Sequence, residues 1–198
     1  QYFVIDTSTP TTILSVLFKP GGILPFVNTS AKDLYNQIIG LDDIWGQDAD
    51  RLVCRLLESS STIERFRILE DMLLCRLDEQ YSRHYAVDTA LDLFSSSQHD
   101  YSIAHVRQLV DLSPPRFIQV FRDEVGTTPK MFTRLQRFSL ALQLIANCNP
   151  MSWADIALRC GYYDQSHMIN EFRSLAGIAP STYDPQDPQH NFNIPFTD

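Results

Sequence analysis

The sequence predicts a mainly helical protein. Two helix-turn-helix units joined by a long helix occupy its C-terminal part, and a helical segment with a few β-strands precedes them. Three observations carry this reading. Residues 152–183, SWADIALRCGYYDQSHMINEFRSLAGIAPSTY, spell two short amphipathic helices around a glycine. Residues 101–125 repeat that arrangement. Apolar residues recur at helical spacing over most of residues 30–97, whereas β-formers crowd the first 29.

Taken in order, Tyr2 to Ile5 is apolar, Ile13 to Phe18 is rich in β-formers, and Lys19-Pro20-Gly21-Gly22 makes a turn. Two or three strands alone bury little, so they either pack on the following helices or belong to a larger sheet, and the second is favoured. The chain starts at Gln1, as expected of a piece of a longer protein. Ser30 is placed to cap a helix through Ile39. Leu52, Val53, Leu56 and Leu57 then mark a second helix. Ile63, Phe66, Leu69, Leu73 and Leu77 form the stripe of another after Ser61, and Val87, Ala90, Leu91 and Phe94 form the next. Three such helices can share a core, although a dimer interface would use the same residue types. Residues 95–98, SSSQ, read as a linker.

In the first helix-turn-helix, Ile103, Val106 and Leu109 line one helix, Leu112 sits in the turn, and Ser113-Pro114 starts the next. Phe117, Val120 and Phe121 face inward there, leaving Pro115, Arg116, Ile118, Gln119 and Arg122 outward. A spacer helix from Pro129 to about Asn147 carries Met131 or Phe132, Leu135, Phe138, Leu142 and Ile145 on one side. Eighteen residues give a rod of about 27 Å. Arg134 and Arg137 on it could touch phosphate or be solvated. In the second unit Ser152 caps a helix carrying Ile156 and Ala157, Gly161 permits a positive-φ turn, and Asp164 caps a helix burying Met168, Phe172 and Leu175. Gln165, Ser166, His167, Asn170 and Arg173 stay outside: either a solvated face or a set of donors and acceptors for base edges and phosphates. The tail, 184–198, has no helix period, and its Phe192, Ile194 and Phe196 are candidates to dock on the protein.

Gly161, Tyr162, Asp164, Ser166, His167, Phe172, Arg173, Gly177, Pro180 and Tyr183 match, at fixed offsets, the signature of the AraC/XylS family of bacterial transcription regulators, which this stretch closely resembles. SPPRFIQVFRDEVGTTPKMF resembles the first helix-turn-helix of the same family. Departures occur at Asn170, where the family often has arginine, at Arg107 and Asp111, where it has alanine and often glycine, and at the apolar Ile118. The resemblance implies a homeodomain-like fold and a partial N-terminal sensing or oligomerisation domain over 1–97 (strands 1–29, helices 30–97). It further implies a DNA-binding domain over 98–183, built from units 101–125 and 152–176 around a linker helix 129–147. FKPGG and LDDIWG (41–46) look like the sensor portion of one subgroup. The implied partner is double-stranded DNA, read by Pro115, Arg116, Ile118, Gln119, Arg122, Gln165, Ser166, His167, Asn170 and Arg173. A small-molecule effector on the N-terminal domain, a homodimer, and RNA polymerase for an activator are admitted; a bacterial, cytoplasmic location with nucleoid association on binding is expected.

Charge divides along the chain in the sense this reading needs. Residues 1–100 carry 8 Lys/Arg against 15 Asp/Glu, residues 101–183 carry 8 against 6, and the tail has three aspartates, which together give the net −8. The basic surplus lies with the helix-turn-helix units. With 44% hydrophobic and 20% charged residues the chain suits a globular protein. The longest apolar runs are too short to cross a bilayer, and no signal peptide is evident, so no membrane partner is expected. Cys54, Cys75, Cys148 and Cys160 show no CxxC pairing; buried reduced thiols are the favoured reading and a redox sensor the other. Five scattered histidines, with no HExxH, GxSxG or P-loop, speak against an enzyme and against any metal or cofactor. His167 reads as a helix-face contact or a packing residue. The competing class is a helical protein-interaction module derived from such a regulator, with weak or no DNA binding.

Overall fold

The computed structural model describes residues 12–95, 102–146 and 151–187. It divides into two compact units, one up to Arg83 together with Asp123–Gly126, the other from His84 to Arg122 and from Thr127 onward. Among the described residues no helix is long and apolar enough to cross a membrane.

In the first unit the expected strands are not found. Residues 12–18 run without secondary structure and have no ladder partner among the described residues, so Ile13, Val16 and Leu17 remain exposed. Propensity without a neighbouring strand does not make a sheet. Tyr2 to Ile5 lies outside the described residues. The turn does form: Gly22 N–H donates to the Lys19 carbonyl at 2.7 Å, with Gly21 at φ +71°. Helix α1 is only Ala31–Leu34, because Asn36 enters the left-handed region (φ +56°) and ends any continuation to Ile39. Ser30 does not cap it; its hydroxyl donates instead to the Asp123 carbonyl at 2.8 Å.

Helices α2 (Leu41–Trp45), α3 (Gln47–Glu58) and α4 (Thr62–Arg76) complete this unit. Leu52, Ile68 and Met72 are its core, backed by Trp45, Leu56 and Leu69. Trp45 Nε1 donates to the Phe26 carbonyl at 3.0 Å, and Arg76 covers its ring while pairing with Asp48 at 2.7 Å. The stripe expected on α4 is displaced, since Ile63, Phe66 and Leu77 are exposed. Apolar residues surround α4, so more than one i, i+3/i+4 row was available, and the row that meets Leu52 is Ile68–Met72. On α3 the expected face is likewise too broad: Val53 and Leu57 are exposed.

The second unit starts earlier than the sequence boundary at 97/98. Helix α5 (Tyr85–Ser95) belongs to it, with Ala86, Val87, Ala90, Leu91 and Phe94 buried. Phe94 packs on Phe121 and Phe132, so this helix does not share a core with α3 and α4 as expected. The linker at residues 96–98 lies outside the described residues. Next come α6 (Ile103–Leu109), α7 (Pro114–Val125), α8 (Pro129–Ala146), α9 (Trp153–Arg159) and α10 (Gln165–Ala176). On α6 it is Val110 that is buried and Leu109 that is exposed. Both fit the spacing from Val106, and the capping turn at Val110 (φ −92°, ψ 2°) carries that residue inward.

The two helix-turn-helix units repeat each other closely. Ser102 and Ser152 each cap through the hydroxyl, accepting from His105 N–H and Asp155 N–H at 3.1 Å. Val106 and Val110 correspond to Ile156 and Cys160, all buried. Asp111 (φ +47°) corresponds to Gly161 (φ +71°) in the left-handed turn. Each unit then buries a phenylalanine, Phe121 or Phe172, that meets an aromatic ring past the next turn. Phe132 lies edge-on to Phe121 at 5.6 Å, and Tyr183 edge-on to Phe172 at 6.1 Å. Helix α8 serves both units: Phe132 packs in the first, while Phe138, Ala141 and Leu142 pack in the second.

Because Asp111 holds a conformation that glycine adopts at little cost, Asp111→Gly is expected to stabilise the fold by up to about 1 kcal/mol, and Gly161→Ala to cost about 1–2 kcal/mol. Urea unfolding followed by circular dichroism measures both; the opposite signs would show that the turn tolerates other geometries.

Candidate nucleic-acid interface

The exposed faces of α7 and α10 arise from where each helix starts. The Ser113 carbonyl accepts from Phe117 N–H at 3.0 Å, fixing the first turn of α7 behind Pro114. Phe117, Val120 and Phe121 then point into the core, and Pro115, Arg116, Ile118, Gln119 and Arg122 are exposed. Arg116 Nη1 reaches the Gln119 side-chain oxygen at 3.5 Å. Asp164 caps α10 by accepting from His167 N–H at 2.7 Å. Met168 and Phe172 are buried, Leu175 is half-buried, and Gln165, Ser166, Asn170 and Arg173 are exposed.

His167 stands apart from that row. It is half-buried, its Nδ1 accepts from Tyr163 N–H at 3.4 Å, and its ring meets Tyr162 edge-on at 5.5 Å. That is the packing alternative for this residue, on the side of α10 turned toward the loop. Hence α7 presents all five of its expected residues to solvent, and α10 presents four of five.

A sequence-family model described as a helix-turn-helix domain matches residues 106–186. The Arabinose operon regulatory protein of Escherichia coli (strain K12) is 27% identical over 157 residues, 76% of this chain and 50% of that protein. The matched segment is an AraC/XylS-type helix-turn-helix domain. The Probable transcriptional regulator LumQ of Photobacterium leiognathi is 33% identical over 87 residues, 43% of this chain and 34% of that protein. The chain therefore spans between about a third and a half of the length of these relatives. A solved DNA-binding transcriptional dual regulator from Escherichia coli K-12 is 26% identical, with 53% of this chain and 91% of that one covered and a TM-score of 0.42.

Within the AraC/XylS-type domain one cluster was not anticipated. Arg134 and Arg137 of α8 are half-buried and turned toward Glu171. Arg134 Nε lies 2.9 Å from Glu171 Oε1, Arg137 Nη2 lies 3.6 Å from Glu171 Oε2, and Arg137 covers the Tyr162 ring at 5.2 Å. These are charge contacts rather than aligned hydrogen bonds, since Arg134 Nε and Glu171 Oε2 find no hydrogen-bond partner. Burial pushes the Tyr162 phenol well above its usual range, with Arg137 pulling the other way. The signal available beforehand was Glu171 itself, an acid inside the helix otherwise read as basic and polar.

The cysteines also depart from expectation. Cys54 and Cys75 are exposed, Cys160 is buried in the α9 turn, and Cys148 lies outside the described residues. Desolvation pushes the Cys160 thiol from 9.0 up to about 12. A raised folded pKa contributes stability that is full below the unfolded value near 9 and is lost as pH climbs toward 12. At pH 8, iodoacetamide followed by peptide mapping is expected to modify Cys54 and Cys75 in the native protein and Cys160 only after unfolding. Native labelling of Cys160 would show that the α9 turn opens readily.

Proposed function

We propose that this chain is part of a sequence-specific DNA-binding transcription regulator, with α7 and α10 as two recognition helices entering adjacent major grooves. The observation that carries the reading is the repeat: two helices of twelve residues, each with a buried phenylalanine and an outward polar row, are tied to one helix of 18 residues. Such a helix is about 27 Å long, close to the roughly 34 Å between successive major-groove turns on one face of DNA. The roles proposed are base contact for Gln119 and Asn170, since amide side chains pair with adenine, and thymine-methyl contact for Ile118. Arg116, Arg122 and Arg173 are assigned phosphate or guanine, and Pro115, Gln165 and Ser166 close contacts at the helix starts, with His167 packed behind them.

The residues before the helix-turn-helix units are proposed as part of a sensing or oligomerisation domain that would alter availability of the readers, through an effector or homodimerisation. RNA polymerase is a partner if the regulator activates. An interaction module without DNA binding is the second reading, favoured by the acidic charge of the first 100 residues.

Selection from a randomised duplex pool tests the first reading. An enriched site of two halves about 10 bp apart is expected. Asn170→Ala should lose about 1–3 kcal/mol at one half and relax its sequence; Arg173→Ala should weaken binding with a salt slope shallower by about 1 if that residue meets phosphate. No enrichment, with binding equal to random duplex at every salt concentration, would favour the interaction module.

A further inference from the structure

On the flank of α10 that faces α8 lies a charged row distinct from the outward faces. Lys130, Arg134 and Arg137 succeed one another at helical spacing along α8. Lys130 and Arg137 line an open cleft of about 780 Å³ with Thr133, Gln136, Tyr163 and His167. It lies within the second unit, beside the start of α6 and the start of α10. Glu171 meets two of the three cations.

The arrangement is poorly matched as a structural strut. The Nε atoms of Arg134 and Arg137 and the Oε2 of Glu171 are buried without a hydrogen-bond partner. Helix α10 is already held by Met168 and by Phe172, which meets Phe138 at 4.9 Å. Partly exposed ion pairs add little to such packing. A phosphate oxygen, by contrast, accepts well-aligned charge-assisted bonds from guanidinium. Glu171 also adjoins Asn170, so its charge would stand close to any phosphate near that reader.

We propose that Glu171 is a brake on DNA binding: it occupies Arg134 and Arg137 internally, and these guanidiniums exchange it for phosphate oxygens of the backbone between the two readers. The inference rests on the DNA-binding reading above. Glu171 touches no base in this scheme and leaves sequence preference alone.

The test uses the whole chain and a fluorescent duplex carrying the selected site, or a random duplex if none is selected, titrated at several salt concentrations. Wild type, Glu171→Gln, and Glu171→Gln combined with Arg134→Gln and Arg137→Gln are compared, each with a thermal melt. Glu171→Gln is expected to bind roughly 3–10-fold more tightly at low salt, with the slope of log K against log salt steeper by about 1–2 and the order of preferred sites unchanged. The triple variant should give that gain back. Binding by Glu171→Gln where wild type shows none supports the brake as well. Equal affinity and slope overturn it while leaving the regulator reading intact. A Glu171→Gln protein that melts lower and binds more weakly makes Glu171 a strut and also overturns it. If no variant binds duplex at any salt, the regulator reading fails and the brake with it.

Discussion

Each helix-turn-helix unit is closed by aromatic contacts around one buried phenylalanine, and the placing of the outward helices depends on them. Phe121 against Phe132 and Phe172 against Tyr183 bind the last helix of a unit to the segment after its glycine turn. Aromatic burial of this kind outweighs the polar contacts nearby, because each ring removes some 150–250 Å² from water. Helix α8 adds the link between units: Phe132 and Phe138 stand six residues apart on it and enter the two cores separately. Rotation of α7 or α10 would have to break a ring contact first. The polar rows are therefore carried by a packed frame that fixes their positions relative to one another.

The charged residues follow from that frame rather than shape it. Once Phe138 and Phe172 are in contact, Glu171 is brought beside Arg134 and Arg137 whether or not their hydrogen bonds align. In the first unit the chemistry is different, since Lys32 pairs with Asp123 at 2.7 Å, and Arg76 pairs with Asp48 while covering Trp45 at the edge of a small apolar core.

What could be read in advance was what local chemistry decides. Ser152, Gly161 and Asp164 announced caps and a turn because one residue type suits each position, and Met168 and Phe172 followed from a single apolar stripe. The reading faltered where several solutions fit the same pattern. Helix α4 offered more than one apolar row, Val110 and Leu109 were equivalent by spacing, and α5 had an apolar face that suited either unit. The strands over 12–18 failed for a related reason, because a strand is defined by its neighbour. In the candidate interface, the exposed rows were legible as helix faces, whereas the His167 ring contact and the Glu171 cluster depend on tertiary packing that no spacing encodes.

The repeat contains one irregularity. From Ser102 to Asp111 each residue has its counterpart fifty positions on, but from Phe121 onward the interval is fifty-one, and the additional residue falls in the second turn, where Tyr163 is 92% exposed. Anyone exchanging the outward rows between the two helices must therefore count from the buried phenylalanines and not from the turns. Counted that way, Gln119 is the equivalent of Asn170 and Arg122 of Arg173, so the two halves share an amide and a guanidinium in the same register. A graft aligned on the turns would be out of phase by about 100° around the helix axis and would present core residues to solvent.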